Sequence, residues 1–234
     1  MHSPATSHPP TDDVSTTQHY FTRQPEVSSK PGIATLALPD GIFRFTTDTG
    51  VFSHAAIDAG TRFLLQHAPA VPLSGDVLDL GCGYGPVAVV WGARKPEATV
   101  WAVDTNQRAL ELTAANAAAA GCANVTTSQP DDVPSQIRFA AIYANPPIRI
   151  GKGALRSMLI TWLDRLLPGG AAYLVVHRHL GADSLTRWLT SSGYSTQRER
   201  SSKGYRLLCV QAAAEPSVNV DQPRHHVEDE KGLR

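Results

Sequence analysis

Two short motifs in this chain have residue types that suit ligand binding and chemistry. The first is the segment 81–85, Gly-Cys-Gly-Tyr-Gly, which lies between an apolar stretch and a helical stretch. Glycines let the backbone turn sharply and let a ligand approach where a Cβ would otherwise stand. The second motif is Asn145, Pro146 and Pro147, directly after another apolar stretch. The first motif predicts a ligand-binding loop, and the second predicts a rigid turn that presents oxygen atoms.

The Asn-Pro-Pro turn is suited to holding an amino group. The amide oxygen of Asn145 and the backbone carbonyl of Pro146 can each accept one hydrogen of an exocyclic amine, while Pro146 and Pro147 lock φ. The lone pair of the amine then faces an electrophile, which lowers the barrier through orientation. The carbonyl dipoles also stabilise the positive charge that develops on nitrogen. No strong base is required, because the charged product amine loses its proton readily.

The residues around the glycine loop favour a nucleoside ligand without phosphates. Asp104 ends the next predicted strand, 19 residues after Gly85, where a carboxylate can accept hydrogen bonds from ribose hydroxyls. A dinucleotide fingerprint has its third glycine at the sixth position, where this chain has Pro86. Proline fits the first turn of a helix but removes an N–H that could meet a pyrophosphate. Together with the amine-binding turn, the loop predicts methyl transfer from S-adenosylmethionine to nitrogen, with S-adenosylhomocysteine as product.

Two further acidic positions belong to the predicted cofactor site. Asp79, just before the glycine loop, either organises the loop by bonding its amides or meets the amine of the cofactor. Asp131 follows a predicted strand and is suited to receive the exocyclic amine of adenine, although the adjacent Asp132 is an equal alternative. The predicted cofactor-binding residues of this stretch are therefore Asp79, Gly81, Gly83, Gly85, Asp104 and Asp131.

The alternation of strand and helix signals predicts the fold. Strands are expected at 42–46, 76–80, 99–104, 125–128, 139–144 and 171–176, followed by a hairpin of 194–200 and 205–210. Helices are expected at 55–67, 87–93, 107–120, 154–167 and 184–189, the last with Asp183 as N-cap. This pattern predicts an α/β, doubly wound, mostly parallel sheet with one antiparallel strand near the C-terminus. Both motifs and Asp104 follow strand ends, so they should meet at one edge of that sheet.

Length and composition bound the molecule. The 234 residues suit one domain, 19–212, between two polar tails, 1–18 and 213–234, which are expected to be disordered. No run of about 18 apolar residues exists, and the N-terminus lacks an apolar signal, so neither a membrane span nor secretion is expected.

The three cysteines are far apart and read as free thiols in a reducing cytoplasm. His177 and His179 lack further ligands at metal-site spacing, and no metal is assigned.

Charge is unevenly distributed along a chain whose formal net charge is zero. The stretch 149–206 has ten basic and three acidic residues, a net charge of +7. Arg149, Lys152 and Arg156 follow the Asn-Pro-Pro turn, and we hypothesise that they meet substrate phosphates. An ordinary solvated face is an equal alternative for this charge. A neutral chain argues against strong, indiscriminate nucleic-acid binding.

Residues 19–211 resemble the small-domain class I methyltransferases, in particular the bacterial 16S ribosomal RNA guanine-N2 methyltransferases. The matching stretches are 47–53 (Thr-Asp-Thr-Gly-Val-Phe-Ser), 77–86, 103–104 and 145–149, with Gly151 and Lys152. The resemblance implies a seven-stranded sheet, S-adenosylmethionine as methyl donor, and an RNA substrate. It also implies that Asn145 and Pro146 hold the target amine and that the stretch 50–53, with Phe52, lies against the cofactor.

The chain departs from this family at two points. Ile148 stands where many amino-directed relatives have an aromatic residue that stacks on the target base. Stacking worth about 1–3 kcal/mol per base is therefore either lost or supplied elsewhere, with Phe52 and Tyr84 as the candidates. The base identity therefore stays open. The duplicated guanine-N2 enzymes also have an additional N-terminal domain, whose role in RNA handling would fall to a partner or to a homodimer. A monomer is the other possibility.

Other functions compete with RNA methylation at guanine N2. The same chemistry could act on a small molecule of a biosynthetic pathway or on a protein amide nitrogen. A different class is an RNA-binding or scaffolding protein with a vestigial cofactor pocket, which the intact glycines and Asn145 disfavour. An NAD-dependent oxidoreductase is disfavoured by Pro86 and by the lack of an evident acid or base for hydride transfer.

Overall fold

The computed structural model describes residues 27–70 and 74–212. The tails expected at 1–18 and 213–234 lie outside these residues. Within them the chain alternates strands and helices: β1 (Gly32–Leu38), β2 (Gly41–Thr47), α1 (Ala59–His67), β3 (Asp76–Leu80), α2 (Pro86–Arg94), β4 (Val100–Val103), α3 (Gln107–Ala119), β5 (Val125–Ser128), β6 (Phe139–Ala144), α4 (Lys152–Leu163), β7 (Leu166–His177), α5 (Ala182–Ser191), β8 (Tyr194–Ser202) and β9 (Tyr205–Ala212).

Seven of these strands form one sheet in the order β5-β4-β3-β6-β7-β9-β8. The pairs from β5 to β7 are parallel, whereas β9 runs antiparallel to both β7 and β8. The prediction of a doubly wound, mostly parallel sheet with one antiparallel strand is confirmed. The chain builds outward from β3 to β5 and then returns to place β6 beside β3. The carboxyl ends of β3 and β6 thus flank the point where the strand order reverses, which is where such sheets bind ligands.

The two faces of the sheet carry separate hydrophobic cores. Along β3, Val77 packs into a core shared with α1, α2 and α3, while Leu78 packs into a core shared with α4 and α5. This alternation follows from the two-residue period of a strand. Every residue of β6 is buried, as expected for a central strand covered on both faces. The Asn-Pro-Pro turn therefore follows a strand that is buried along its whole length.

The hairpin of β1 and β2 is attached to the glycine loop by one buried side chain. Asn116 on α3 donates from Nδ2 to the carbonyls of Thr46 (2.9 Å) and Tyr84 (2.8 Å). Its Oδ1 accepts the Thr46 N–H at 2.8 Å. Buried amides with this many partners fix the relative position of the elements that they join. The loop that follows β2 is thereby held beside the loop that follows β3.

Several element boundaries differ from the sequence-based expectations. Strand β1 was not expected. Helix α1 begins at Ala59 rather than at 55, because Asp58 caps it. The expected N-cap role of Asp183 is wrong: Gly181, with φ of 95°, precedes α5, and Asp183 lies in its first turn. Glycine adopts this left-handed conformation without steric cost.

Helix α4 ends at Leu163 rather than at 167, and the Pro-Gly-Gly segment that was expected to stop it lies inside β7. The β6–β7 pairing passes from Phe139↔Leu166 to Ala141↔Ala171, so residues 167–170 bulge out of the ladder. A Cβ added at Gly170 would lie 2.9 Å from the carbonyl oxygen of Ala140. The glycine therefore serves a close backbone approach inside a strand.

Candidate active site

A cavity of about 1050 Å³ opens along the carboxyl ends of the central strands. It brings together residues of both motifs and of the loops that follow β2 and β4, as the sequence predicted. The predicted site residues that line it are Phe52, Gly81, Gly83, Asp104, Asn145, Pro146, Pro147, Ile148 and Arg149. A smaller cavity of about 30 Å³ adjoins the glycine loop and is lined by Asp79.

The three loop glycines have different structural roles. Gly81 (φ 78°) and Gly83 (φ 57°) have nothing within 4 Å of the point where a Cβ would stand. Both therefore combine a left-handed backbone with open space on the cavity side, as a ligand-binding loop requires. Gly85 (φ 89°) caps α2 and does not belong to the cavity lining, and its Cβ would lie 2.8 Å from the Thr113 side chain. Packing against α3, rather than ligand contact, requires a glycine there.

Asp104 joins two loops at the end of β4. Its Oδ2 accepts the Gly83 N–H at 3.0 Å, and its Oδ1 accepts the Asn106 N–H at 2.9 Å. Burial raises the pKa of this carboxyl, and the hydrogen bonds from these N–H groups oppose that rise. Each carboxylate oxygen can accept more than one hydrogen bond. Asp104 is thus fixed in place and can still accept the hydroxyls of a ribose in the cavity.

Asp79 is a buried carboxyl beneath the glycine loop, 2% exposed. Its Oδ2 accepts the Ala88 N–H at 2.9 Å, near the start of α2. The pKa of Asp79 is raised to about 8, because burial and, to a smaller extent, the nearby Asp104 together outweigh the lowering effect of the bond from Ala88. A cationic ligand in the adjoining cavity would stabilise the charged form of this carboxyl and so lower its pKa.

The segment 50–53 is held in place by side chains that follow β4. Asn106 Nδ2 donates to the Gly50 carbonyl at 2.8 Å, and Arg108 Nη1 donates to the Thr49 carbonyl at 2.8 Å. Phe52, whose exposed fraction is 49%, lines both cavities. Tyr84, the other residue expected to offer a stacking surface, is 2% exposed and lines only the smaller cavity.

The side-chain amide of Asn145 is oriented by two partners at the start of α1, its N-cap Asp58 and Thr61 in its first turn. Its Nδ2 donates to Asp58 Oδ2 at 2.7 Å and to Thr61 Oγ1 at 3.1 Å. These bonds use both amide hydrogens, so Oδ1 is the atom through which Asn145 accepts a hydrogen from a ligand. Sequence reasoning missed Asp58 and Thr61, because no motif marks a single acid at the start of a helix.

The two prolines form a tight turn of fixed shape. Ile148 N–H donates to the Pro146 carbonyl at 2.8 Å across Pro147, whose φ and ψ are −74° and 76°. These values are those of an inverse γ-turn, and the φ matches the value that the proline ring imposes. A carbonyl oxygen has two lone pairs, so Pro146 retains one acceptor site. The Pro146 carbonyl and Asn145 Oδ1 are thus two acceptors on neighbouring residues that line the cavity.

Other predicted residues lie at the margin of the cavity or beyond it. Asp131 is exposed, and its neighbour Pro130, rather than Asp131, belongs to the lining. Lys152 is the exposed first residue of α4 and lies outside the lining, whereas Arg149 is exposed and lines the cavity. The guanidinium of Arg156 stacks over Trp188, with its Cζ 5.1 Å from the ring centroid.

Several lining residues were not predicted as site residues. They come from α4 and from the far side of the sheet: Ser157, Met158, Thr161, Trp162, Val175, Val176, His177, Leu180 and Tyr205. The sheet order brings the residues of β7 and β9 beside Asn145, because these strands follow β6 in space, whereas α4 follows the Asn-Pro-Pro turn in the chain.

Within the described ranges, no group of three or more His, Cys, Asp or Glu side chains is arranged to hold a metal ion. Over the same ranges, no helix has the length and apolar character to cross a membrane.

The cavity fits S-adenosylmethionine on structural grounds. The open faces of Gly81 and Gly83 leave room for the ligand, and Asp104 supplies acceptors for a ribose. Asp79 supplies a buried acid for an ammonium group. Arg149 is the one lysine or arginine among the described lining residues, so the loop itself offers no cation for a phosphate.

Comparison with known proteins agrees with this geometry. The family model described as "Methyltransferase small domain" matches residues 42–208. An uncharacterised protein, YbxB of Bacillus subtilis, is 32% identical over 194 residues, covering 82% of this chain and 96% of that protein. Ribosomal RNA small subunit methyltransferase C of Shewanella sediminis is 32% identical over 173 residues, covering 70% of this chain and 49% of that protein. The chain thus spans about half the length of its ribosomal RNA methyltransferase relatives.

A solved structure shares the fold. It is the T. thermophilus 16S rRNA N2 G1207 methyltransferase in complex with AdoMet and guanosine, with a TM-score of 0.63 and 20% identity. The match covers 80% of this chain and 52% of that chain. The chain belongs to the methyltransferase small domain family, a family of enzymes whose methyl donor is S-adenosylmethionine.

Proposed function

We propose that this enzyme methylates an exocyclic amino group of an RNA base, with guanine N2 of 16S ribosomal RNA as the target and the cytoplasm as its location. The observation that carries the proposal is the pair of acceptors formed by Asn145 Oδ1 and the Pro146 carbonyl. The residues Asn145 and Pro146 both belong to the lining of the cavity that is also lined by Gly81, Gly83 and Asp104. The relatives named as ribosomal RNA small subunit methyltransferases support the choice of substrate.

In this proposal residues at the ends of β3 and β4 would hold the cofactor. Gly81 and Gly83 leave room for it, and Asp104 and Phe52, which line the same cavity, would accept its ribose hydroxyls and cover it. Asp79 would bind the ammonium of its methionine part, and the loop of Pro130 and Asp131 would meet its adenine. Once bound, S-adenosylmethionine supplies a methyl group on a positively charged sulfur and leaves as S-adenosylhomocysteine.

The chain's own residues prepare the amine for that methyl group. Asn145 Oδ1 and the Pro146 carbonyl each accept one amine hydrogen, which turns the nitrogen lone pair toward the methyl donor. Their dipoles stabilise the positive charge that grows on nitrogen. Asp58 and Thr61 hold the Asn145 amide so that its oxygen, and not its NH2 group, meets the substrate. The amine then releases a proton to solvent.

The substrate backbone lies on the outer rim of the cavity. Arg149 is exposed beside Ile148, and Lys152 begins the next helix. Both can contact phosphates of a nucleotide whose base enters the cavity. The base must leave the duplex to enter the cavity, because a base-modifying enzyme cannot reach the reactive amine inside the duplex.

The direct test is methyl labelling. The protein, labelled S-adenosylmethionine, and either deproteinised 16S ribosomal RNA or assembled small subunits are incubated together, and the RNA is digested to nucleosides. Label in N2-methylguanosine is expected. Asn145→Ala should abolish the labelling while calorimetry shows that cofactor binding is retained. Label found only in protein or in small molecules, or turnover that persists in Asn145→Ala, would refute the proposal.

A further inference from the structure

The cavity continues beyond Asn145, away from the cofactor half. The glycine loop and Asp104 follow β3 and β4, whereas His177 ends β7 and Tyr205 begins β9, on the opposite side of β6. All of these residues belong to one lining. A methyl donor over β3 and β4 would leave the β7 and β9 side for the group that receives the methyl.

His177 and Tyr205 form an aromatic pair at this end. They are direct partners in the β7–β9 ladder, and their ring centroids lie 5.0 Å apart at 78°. Edge-to-face packing of this kind is favourable for aromatic rings. The wall that they form is next to the Asn-Pro-Pro turn, because β7 is the neighbour of β6.

Close packing holds both rings in place. A Cβ at Gly204 would lie 2.5 Å from His177 Nε2, and a Cβ at Gly60 would lie 2.9 Å from Tyr205 Cε1. The Arg178 N–H donates to the Gly204 carbonyl at 2.8 Å, which ties the turn after β7 to the β8–β9 turn. Rings fixed in this way lose little conformational entropy when a ligand packs on them.

This part of the lining suits the face of a flat ring. Beside the aromatic pair it has Val175, Val176 and Leu180, and Asp58 is the acidic lining residue near Tyr205. Asp58 is near enough to raise the pKa of Tyr205 after the larger effect of burial. The aromatic pair therefore lies close to the side chain that orients Asn145.

We propose that the pair His177 and Tyr205 is the stacking wall for the target base. This inference rests on the proposed function and supplies the aromatic surface that Ile148 lacks. The base enters with its amine at Asn145 and Pro146, Ile148 covers it from the catalytic turn, and the ring packs against the aromatic pair. Tyr84 cannot take this role, because it is buried outside the larger cavity.

The test compares Tyr205→Leu and His177→Leu with Tyr205→Phe in methylation of deproteinised 16S ribosomal RNA. Loss of one stacking partner should raise KM for RNA about tenfold or more, since base–aromatic stacking is worth that much in affinity. Tyr205→Phe should keep KM within about twofold, because it retains the ring. The dissociation constant for S-adenosylmethionine should stay unchanged in all three.

His179→Leu is the matched control, because His179 lies 5.3 Å from His177, ring to ring, but outside the cavity lining. A second measurement guards against variants that fold poorly: guanosine added to the wild-type protein with S-adenosylhomocysteine should shift the ring-proton resonances of Tyr205. If the wild-type enzyme labels RNA while KM is unchanged in both leucine variants, or if the Tyr205 resonances do not move, the stacking wall is refuted. If the wild-type enzyme labels no RNA, the proposed function fails first.

Discussion

Asp58 and Asn145 are joined by a 2.7 Å hydrogen bond, although 87 residues separate them in the chain. The Asp58 oxygen that accepts this bond, Oδ2, also accepts the Thr61 N–H at 3.0 Å as the N-cap of α1. One atom therefore fixes both the start of a helix and the orientation of the proposed catalytic amide. Helix α1 also packs against β7 and β9. The same helix therefore contacts both Asn145 and the strands that carry His177 and Tyr205.

Asp58→Ala should separate positioning from cofactor binding. The variant loses a helix cap, which costs about 1 kcal/mol of stability, and frees the Asn145 amide to rotate. We expect kcat to fall about 100-fold, since small misplacements at a reacting centre have effects of this size. Calorimetry should show unchanged affinity for S-adenosylmethionine.

Asp58→Asn is the matched control, because asparagine caps helices as well as aspartate does. Its side-chain oxygen can accept from both Thr61 and Asn145, so it should restore most of the stability and part of kcat. An Asp58→Ala enzyme that turns over at the wild-type rate would show that the bond to Asn145 has no positioning role.

The glycines of the 81–85 loop should respond differently to alanine. Gly81→Ala and Gly83→Ala should each cost about 1–2 kcal/mol of stability, because both positions have a left-handed backbone. Their methyl groups would also stand in open cavity space, so both variants should bind the cofactor more weakly. Gly85→Ala also meets the Thr113 side chain at 2.8 Å. It should be the least stable of the three variants, since overpacking costs about 1–3 kcal/mol more.

Urea unfolding and cofactor calorimetry on the three variants check this prediction. Both measurements are needed, because a variant that folds poorly would show a lower free energy of unfolding and weaker cofactor binding together. Gly85→Ala as stable as Gly81→Ala would contradict the packing role that we assign to Gly85.

The sequence sufficed to predict the sheet and the meeting of its motifs. Asp104, the glycine loop and Asn145 each follow a strand, and parallel strands put their carboxyl ends at one edge. That inference needs only local signals and one general rule. The same rule could not reveal Tyr205, because β9 enters the site through an antiparallel pairing whose register the sequence does not mark.

Local signals failed where tertiary contacts decide the backbone. The Pro-Gly-Gly segment 168–170 reads as the end of a helix, yet it bulges from β7 where Gly170 approaches the backbone of β6. Asp58 reads as an ordinary polar residue of a helical stretch, and its bond to Asn145 depends on how α1 packs. Gly85 reads as part of a ligand loop, and only the position of Thr113 shows that it serves packing.

Asp79 should make the stability of the protein depend on pH. Its pKa is about 8 in the folded protein, against an ordinary value of 3.8. Between these values the folded state holds a proton that the unfolded chain has released, so the free energy of unfolding falls as pH rises. Asp104, whose pKa is also raised, acts in the same direction.

Asp79→Asn removes this group and keeps an acceptor for the Ala88 N–H. Between about pH 5 and about pH 8, the Tm of Asp79→Asn should fall less than the Tm of the wild type. Near pH 8 the variant should therefore have the higher Tm. Thermal unfolding in a series of buffers without cofactor measures this difference. Parallel Tm curves for the two proteins would show that Asp79 does not titrate in this window.

Arg149 should govern how salt affects RNA binding. It is exposed at the rim of the cavity, next to the proposed base site. A single phosphate contact contributes about 0.7 to the slope of log K against log salt for single-stranded nucleic acid and about 0.9 for duplex. Arg149→Ala should therefore weaken binding to 16S ribosomal RNA and reduce that slope by about this amount.

The matched control for Arg149 lies at the other end of the same strand. Arg138 precedes β6, is exposed, and donates to the Ser135 carbonyl at 2.7 Å. A six-residue strand separates it from the turn by about 20 Å. Because removal of either arginine changes the net charge equally, long-range attraction would change alike in both variants. If fluorescence anisotropy at several salt concentrations gives equal slopes for Arg149→Ala and Arg138→Ala, no phosphate is bound at Arg149. A loss of slope in Arg149→Ala alone would place the RNA backbone on the rim beside Ile148.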